Sequence, residues 1–329
     1  MKYILVCGGA GYIGSHCVEE LLKKKYNVVV FDNLVYGHRE FVEDIPFFEG
    51  DLNDIDSIRN CFKKYNIESV MHFSAFAYVG ESVIDPQKYY FNNVVNTLNL
   101  LKVMNEFNVK EFIFSSTCAT YGNPQFIPMN EKHGQNPVNP YGKTKFFVEN
   151  ILKDYEKSYG IKHIIFRYFN AAGASLTKNI GEWHNPETHL IPLVLDAASG
   201  KRKNITIFGD DYNTADGTCI RDYIHVIDIA HAHILGLEYL KKTGDSDFFN
   251  IGSEKGFSVQ EIISKCEEIT GNKIERIIGQ RREGDPDILI ADSSKIKKVL
   301  KWKPRFSDIH TVIESAWKWQ SKLNLLIKN

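Results

Sequence analysis

Between residues 2 and 170, short apolar runs alternate with helical patterns, and this alternation constrains the fold more than any other feature of the sequence. KYILVC, NVVVFD, SVMHFSA, EFIFSST and KHIIFRYFN have strand character. YIGSHCVEELLKKK, DIDSIRNCFKKY, the long DPQKYYFNNVVNTLNLLKVMNEF and FFVENILKDYEKSYG read as amphipathic helices between them. Strands that are apolar throughout are buried on both faces, and helical crossovers make them parallel. The pattern therefore predicts an α/β fold, a doubly wound parallel sheet covered by helices on both faces. From about Ala171 the polar loops lengthen, with NITIFG and DFFNIG as short strands. The expected division is a first domain over 1–172 and a smaller C-terminal α/β lobe over 173–329. Segments near 222–252 are expected to return and pack on the first domain.

Composition removes several functional classes. The 329 residues carry a net charge of −1, which favours neither a nucleic acid nor a membrane surface as partner. Six cysteines are scattered without a CxxC pair, so no disulfide framework is expected and a reducing cytoplasm fits. The apolar start, MKYILVCGGAG, breaks at glycine too early for a signal peptide and reads as a buried strand. His231 and His233 lie two apart on a helical segment, where their side chains diverge, and no Cys or carboxylate at ligand spacing joins them. Helix packing is expected for them, and no metal is expected.

GGAGYIG, residues 8 to 14, closes the first strand and opens the first helix. Gly8, Gly11 and Gly14, or Gly9, Gly11 and Gly14, would let the backbone approach a pyrophosphate at a helix N-terminus. Asp32 ends the second strand, where a carboxylate can accept from adenosine ribose hydroxyls. It would repel a ribose phosphate, and the nearest arginine is Arg39, so NAD is favoured over NADP. Asp51, after the strand-like PFFEG, is placed to approach the adenine. Together these features predict a Rossmann-type first domain.

NPYGKTK, residues 139 to 145, sets Tyr141 and Lys145 one turn apart at the start of a helix. A free phenol titrates near about 10, so holding half of it as phenolate at pH 7 needs roughly 4 kcal/mol. One cation at about 5 Å provides on the order of 3 kcal/mol at an effective dielectric of about 20. Lys145 and an oxidised nicotinamide are two such cations, and together they would poise Tyr141 as a general base. Ser115, Ser116 and Thr117 end the strand EFIFSST at the sheet edge where ligands sit, offering hydroxyls to a reacting alcohol.

Taken together, the motifs resemble those of the extended short-chain dehydrogenase/reductase superfamily, and within it the UDP-glucose (UDP-galactose) 4-epimerases. GGAGYIGSH, VFDNL, EGDL, VMHFSA, VGESV, YYFNN, KEFIFSST, NPYGKTK, FRYFNAAGA, NIGS, RREGDPD and above all IFGDDYNTADGTCIRDYIHV carry the resemblance almost end to end. It implies an isomerase of galactose metabolism with tightly held NAD. Tyr141 would take the proton of the sugar C4 hydroxyl while hydride leaves C4, Thr117 would share that hydroxyl, and Lys145 would hold the nicotinamide ribose. The 4-keto sugar would rotate and be reduced on its other face. The implied cofactor shell is Gly8, Gly11, Tyr12, Ile13, Gly14, Asp32, Asn33, Asp51, Leu52, Phe73, Ser74, Ala75, Asn92, Ser115, Tyr141, Lys145 and Phe169. The implied UDP-sugar shell is Thr117, Tyr141, Asn170, His189, Leu190, Ile207, Phe208, Arg221, Tyr223, Arg282, Asp285 and Leu289. Arg221 and Arg282 would fork onto the diphosphate and Asp285 would accept from ribose.

Two positions depart from the family pattern. Ala77 stands where bacterial relatives often carry a lysine near the cofactor. Leu289 stands at a size gate where a tyrosine excludes N-acetylated sugars and a small residue admits them; leucine is intermediate, so UDP-N-acetylhexosamines are included in the expected substrate range. Other readings are a nucleotide-sugar epimerase of different specificity, a 4,6-dehydratase, or a non-catalytic NAD-binding regulator. The dehydratase would need an acid pair after Thr117, where Cys118 and Ala119 stand. A homodimer is expected, paired through the helix near 86–107 and the helix after Tyr141, which carry Tyr90, Phe91, Phe146 and Phe147.

Overall fold

A computed structural model describes residues 1–282 and 284–326, with side chains through residue 323. Six strands of the first half are β1 (Tyr3–Cys7), β2 (Val28–Asp32), β3 (Phe47–Glu49), β4 (Ile67–His72), β5 (Glu111–Thr117) and β6 (Lys162–Tyr168). A seventh, β10 (Asp247–Ile251), joins them from far along the chain in an all-parallel sheet ordered β10-β6-β5-β4-β1-β2-β3. Strand order reverses between β1 and β4, which opens a crevice beyond their carboxyl ends.

The strand alternation explains the two faces. Ile4 and Val6 point to one side, with Val28 and Val30, against α1 (Tyr12–Lys23) and α8 (Val226–Thr243). Leu5 and Cys7 point to the other, with Val29 and Phe31, against α2 (Ile55–Lys64), α5 (Asn96–Glu106) and α6 (Pro140–Tyr159). Helix α6 begins with Pro140, is capped by the Asn139 side chain accepting from the Gly142 amide at 2.8 Å, and stops at Gly160 in the left-handed region at φ +69.

The long helix expected from residue 85 is interrupted. It follows α3 (Val79–Ile84) and consists of α4 (Pro86–Tyr90), a π-helical turn over Phe91–Val95, and α5. The widened turn accompanies buried Asn93, which accepts from the Phe76 amide and donates to the Phe76 carbonyl and the Thr144 hydroxyl. KHIIFRYFN also divides: β6 stops at Tyr168, and β7 (Asn170–Ala172) leaves the main sheet to pair with β9 (Ile220–His225). Around β9 stand β11 (Gly256–Ser258) and β13 (Ile288–Leu289), while β8 (Ile205–Phe208) pairs β12 (Arg276–Gly279). A third core cluster forms beneath them from α7 (Leu190–Ala198), α9 (Val259–Thr270) and α11 (Ile309–Leu326); α10 (Ser294–Val299) lies against β10. Among the described residues no helix is long and apolar enough to cross a membrane. All six cysteines are free thiols.

Candidate active site

The glycine turn is built for close approach. Gly8 has φ +76, and a Cβ on it would lie 2.6 Å from the Ser74 amide nitrogen; a Cβ on Gly14 would lie 2.1 Å from the Gly8 carbonyl oxygen. No side chain caps α1, so its first amides are left for a ligand. Asp32 is 7% exposed; its Oδ2 accepts from the Ala10 amide and its Oδ1 from the Leu34 amide, both at 2.9 Å. Burial raises this carboxyl above its ordinary value against those hydrogen bonds. Each oxygen keeps a lone pair for a diol.

These residues face an open cleft of about 580 Å³. Gly8, Gly11, Asp32, Asn33, Asp51, Leu52, Phe73, Ser74, Ala75 and Asn92, all singled out in the sequence, line it. Asn33 donates to Asp51 at 2.8 Å within its wall. The Tyr12 and Ile13 side chains point elsewhere, leaving their backbone amides at the start of α1: the Tyr12 hydroxyl donates to the Gly173 carbonyl at 2.6 Å, and Ile13 packs on the core. Phe31 and Gly50, inside the VFDNL and EGDL motifs, also line it; Val35, Tyr36, Gly37, Phe76 and Asn96 complete the wall and stand in none of the quoted motifs. A Cβ on Gly37 would meet the Asp32 carboxylate at 2.7 Å, so the tight turn after β2 was the available signal. Ala77, the departing position, is exposed. The glycine cradle, uncapped helix and Asp32 fit a dinucleotide.

Tyr141 adjoins this cleft. It belongs to a buried cluster with Tyr78 and Tyr89, on which Tyr36 and Phe76, two residues of the cleft wall, pack. The Thr117 side chain lies near the Tyr141 hydroxyl and favours the ionised phenol. The expected lowering of the phenol by Lys145 is not present. Burial pushes Tyr141 well above its ordinary value, and the Lys145 ammonium is directed to the Ser115 carbonyl, 2.8 Å away. Burial likewise pushes Lys145 down to about 7, opposed by Glu149. The phenol is desolvated, and its neighbouring cation is engaged with the strand.

Below this pair lies a buried network. Arg167 is paired with Glu149, its Nε donating to Oε1 at 3.0 Å. Glu149 also accepts from Ser116 at 2.6 Å, while Arg167 donates to the Tyr121 hydroxyl at 3.0 Å. Tyr121 in turn donates to Asn250 at 2.6 Å, linking α6, β6 and β10. Tyr168, 2.6 Å from the Ser115 hydroxyl, is a second phenol near Tyr141; burial pushes it up to about 12.

The residues assigned to a nucleotide-sugar divide into three groups. Arg221 is ion-paired with Asp285, Arg282 lies 4.1 Å over the Phe208 ring, and both guanidiniums bear on the Cys219 thiol. Asp285 therefore holds an arginine instead of standing free. Arg221 also bears on Cys118, next to Thr117. Asn170 donates to the Asp222 carbonyl at 2.9 Å, and Leu289 and Phe169 pack with Tyr121 and Met129. Ile207 on β8 and Tyr223 on β9 are buried in the third core cluster, and Leu190, at the start of α7, packs partly buried against it.

His189 is drawn into a different cluster. Glu182, His184, Glu187 and His189 place one ligand atom each within 4.8 Å of one another. Burial disfavours their imidazolium forms, yet the two carboxylates push His189 up to about 10 and His184 to about 9. The spacing E-x-H-x-x-E-x-H stands in the sequence, but it follows no helical or strand period that would bring the four side chains together. His231 and His233 separate as expected: His231 is 2.9 Å from Glu20, and His233 is buried beside Phe73 and Phe166.

Comparison with known proteins adds a family. The GDP-mannose 4,6 dehydratase family model matches residues 5–315. The UDP-glucose 4-epimerase of Halalkalibacterium halodurans is 49% identical over 319 residues, 97% of this chain and 96% of that one. That of Streptococcus mutans is 50% identical over 321 residues, covering 97% and 96%. The UDP-glucose 4-epimerase of Brucella ovis, solved in complex with NAD, superposes with a TM-score of 0.94 at 45% identity, covering 97% of this chain and 98% of that one. A glycine cradle beside a Tyr–Thr–Lys site, carried on a chain matched over nearly its whole length, places this protein in the UDP-glucose 4-epimerase family, within the wider group that the GDP-mannose 4,6 dehydratase model describes.

Proposed function

We propose that the chain interconverts UDP-glucose and UDP-galactose at Tyr141. The observation that carries this reading is the buried aromatic cluster of Tyr141, Tyr78 and Tyr89, on which the cleft residues Tyr36 and Phe76 pack; it sets a proton-transferring phenol beside the cleft lined by Gly8 and Gly11. NAD held there supplies a reversible hydride acceptor at C4. Gly8, Gly11 and the first amides of α1 receive its pyrophosphate, Asp32 its adenosine ribose, and Asn33 and Asp51 border its adenine. Tyr141 removes the C4 hydroxyl proton and returns it after the sugar has turned. Thr117 orients that hydroxyl. Lys145, anchored on Ser115, stabilises charge developing on the phenol, and the positive ring of the oxidised cofactor adds to it.

Arg221 and Arg282 receive the UDP diphosphate, a role supported by their shared reach toward Cys219. Substrate phosphate would compete with Asp285 for Arg221. Residues 1–172, with α8 and β10 returned to them, form the nucleotide part, and residues 173–329 otherwise form the sugar-nucleotide part. Exposed Phe91 and Phe147 support a homodimer through α4, α5 and α6, and the free thiols support a cytoplasmic setting. Cys118 and Ala119 after Thr117 leave a dehydratase without its acid pair.

The test is to incubate protein as purified with UDP-galactose and no added cofactor. UDP-glucose is the expected product. A released 4-keto sugar would instead support the dehydratase reading, and unchanged substrate with bound NAD the regulator reading.

A further inference from the structure

We propose that Glu182, His184, Glu187 and His189 bind one divalent transition-metal ion. A four-coordinate ion with bonds of about 2.0–2.2 Å to nitrogen and oxygen separates its ligands by about 3.3 Å. The imidazole–carboxylate separations are already near that value, and the four ligand atoms all lie within 4.8 Å of one another. His189 Nδ1 lies 2.8 Å from Glu182 and 2.9 Å from Glu187, and His184 Nδ1 lies 3.4 Å from each of the same two carboxylates. Both imidazoles thus turn the same nitrogen toward the same two carboxylates, sharing Glu182 Oε1 and meeting different oxygens of Glu187. His184 Nδ1 is buried and makes no hydrogen bond. In the metal-free cluster a hydrogen bond joins His189 Nδ1 to Glu187 at 2.9 Å, and a dication bonded to all four groups would replace it.

Two imidazoles and two carboxylates are a borderline donor set, suited to Zn²⁺, Co²⁺ or Mn²⁺ in preference to the all-oxygen ions Mg²⁺ and Ca²⁺. The segment is held in place before any ion arrives. Trp183 stacks on His38 at 3.9 Å, and the Glu182 carbonyl accepts from the Trp319 indole at 2.8 Å. Glu187 Oε1 accepts from the amides of Thr188 and His189 at 2.7 and 2.8 Å, which fixes that carboxylate. His184 lies 6.2 Å from the Tyr12 ring and 6.1 Å from the Tyr78 ring. An ion here would pin the start of α7 beside the first turn of α1.

The test uses the full chain and reads metal content, so it does not depend on turnover. Protein is equilibrated with Co²⁺, freed of unbound ion by gel filtration, and measured for cobalt and visible absorption. One cobalt per chain is expected, with the intense bands of a four-coordinate ion and displacement by Zn²⁺. His184→Ala and Glu187→Gln should each reduce retained cobalt by about tenfold or more, while His231→Ala on α8 should keep it. Circular dichroism checks folding, and Glu187→Gln alone decides if His184→Ala does not fold. Substoichiometric or spectrally featureless cobalt in the unmodified chain overturns the proposal. So does full retention in a folded His184→Ala or Glu187→Gln variant.

Discussion

Lys145 donates to the Ser115 carbonyl at 2.8 Å, so its ammonium anchors α6 on the end of β5 while remaining one helical turn from Tyr141. The lysine is a positioning group as well as a charge. The Tyr141 phenol is raised by burial and lowered by the Thr117 side chain, and added positive charge would lower it further.

Tyr141→Phe should lower turnover of UDP-galactose by a factor on the order of 10² or more, the scale of losing a general base. Lys145→Met should lower it comparably and move the acid limb of the pH–rate profile to higher pH, because the phenol then ionises less readily. Initial rates measured across the pH range check both. A near-normal rate in Tyr141→Phe would assign the proton to another group, and an unmoved acid limb in Lys145→Met would remove the lysine from the ionisation.

Leu289 stands on β13, paired in register with Arg221, and packs against Tyr121, Met129 and Phe169. Leu289→Tyr enlarges this wall. Turnover of UDP-N-acetylgalactosamine should fall relative to that of UDP-galactose, at a stability cost of about 1–3 kcal/mol for overpacking. The ratio of the two kcat/KM values is the measurement. An undiminished N-acetyl rate would show that the gate lies elsewhere.

Glu149 and Arg167 form an ion pair in which both side chains are almost wholly buried. Glu149→Ala leaves the guanidinium without its counter-charge and should destabilise the fold by about 3–5 kcal/mol. Glu149→Leu combined with Arg167→Met should recover most of that loss. Urea denaturation of the single and double variants provides the comparison. A single variant as stable as the unmodified chain would mean that water or Tyr121 already compensates the charge.

How much could be read before the structure depended on whether a feature has a period or a letter. The strands and α1 were legible because apolar periodicity switches between 2 and 3.6 at each boundary, and the glycine turn because Gly8 and Gly14 leave no space for a side chain. The π-helical turn was not, since Asn93 acts through the backbone of Phe76, which no letter records. The same holds for Lys145: its partner is a carbonyl oxygen, equally available on any residue. Arg221 and Asp285 were each visible as charges, but their pairing joins strand β9 to a loop 64 residues away. Ile207 and Tyr223 belonged to informative blocks, yet the facing of β8 and β9 was undetermined until their pairing was known. A one-residue change of register would turn each to the other side.

His233 connects the sheet to the pH dependence of stability. Its ring lies 4.8 Å from that of Phe73 and 4.6 Å from that of Phe166; Nδ1 bonds the Ile229 carbonyl, and Nε2 is buried without a partner. Burial pushes it down to about 4, whereas an unfolded histidine titrates near about 6.5. Below that value the unfolded chain binds the extra proton, so stability falls as pH falls from about 6.5 towards about 4. His16 and His72 act in the same direction, pushed down by burial to about 4 and about 3, while His184 and His189 act in the opposite one. The total pH dependence therefore isolates none of them, but a difference between two proteins does. Between about pH 7 and about pH 5.5, the unmodified chain should lose about 1 kcal/mol more unfolding free energy than His233→Gln, measured by urea denaturation. Equal losses would mean that His233 takes up its proton inside the folded protein, and that the contacts of α8 with Phe73 and Phe166 open enough to admit water.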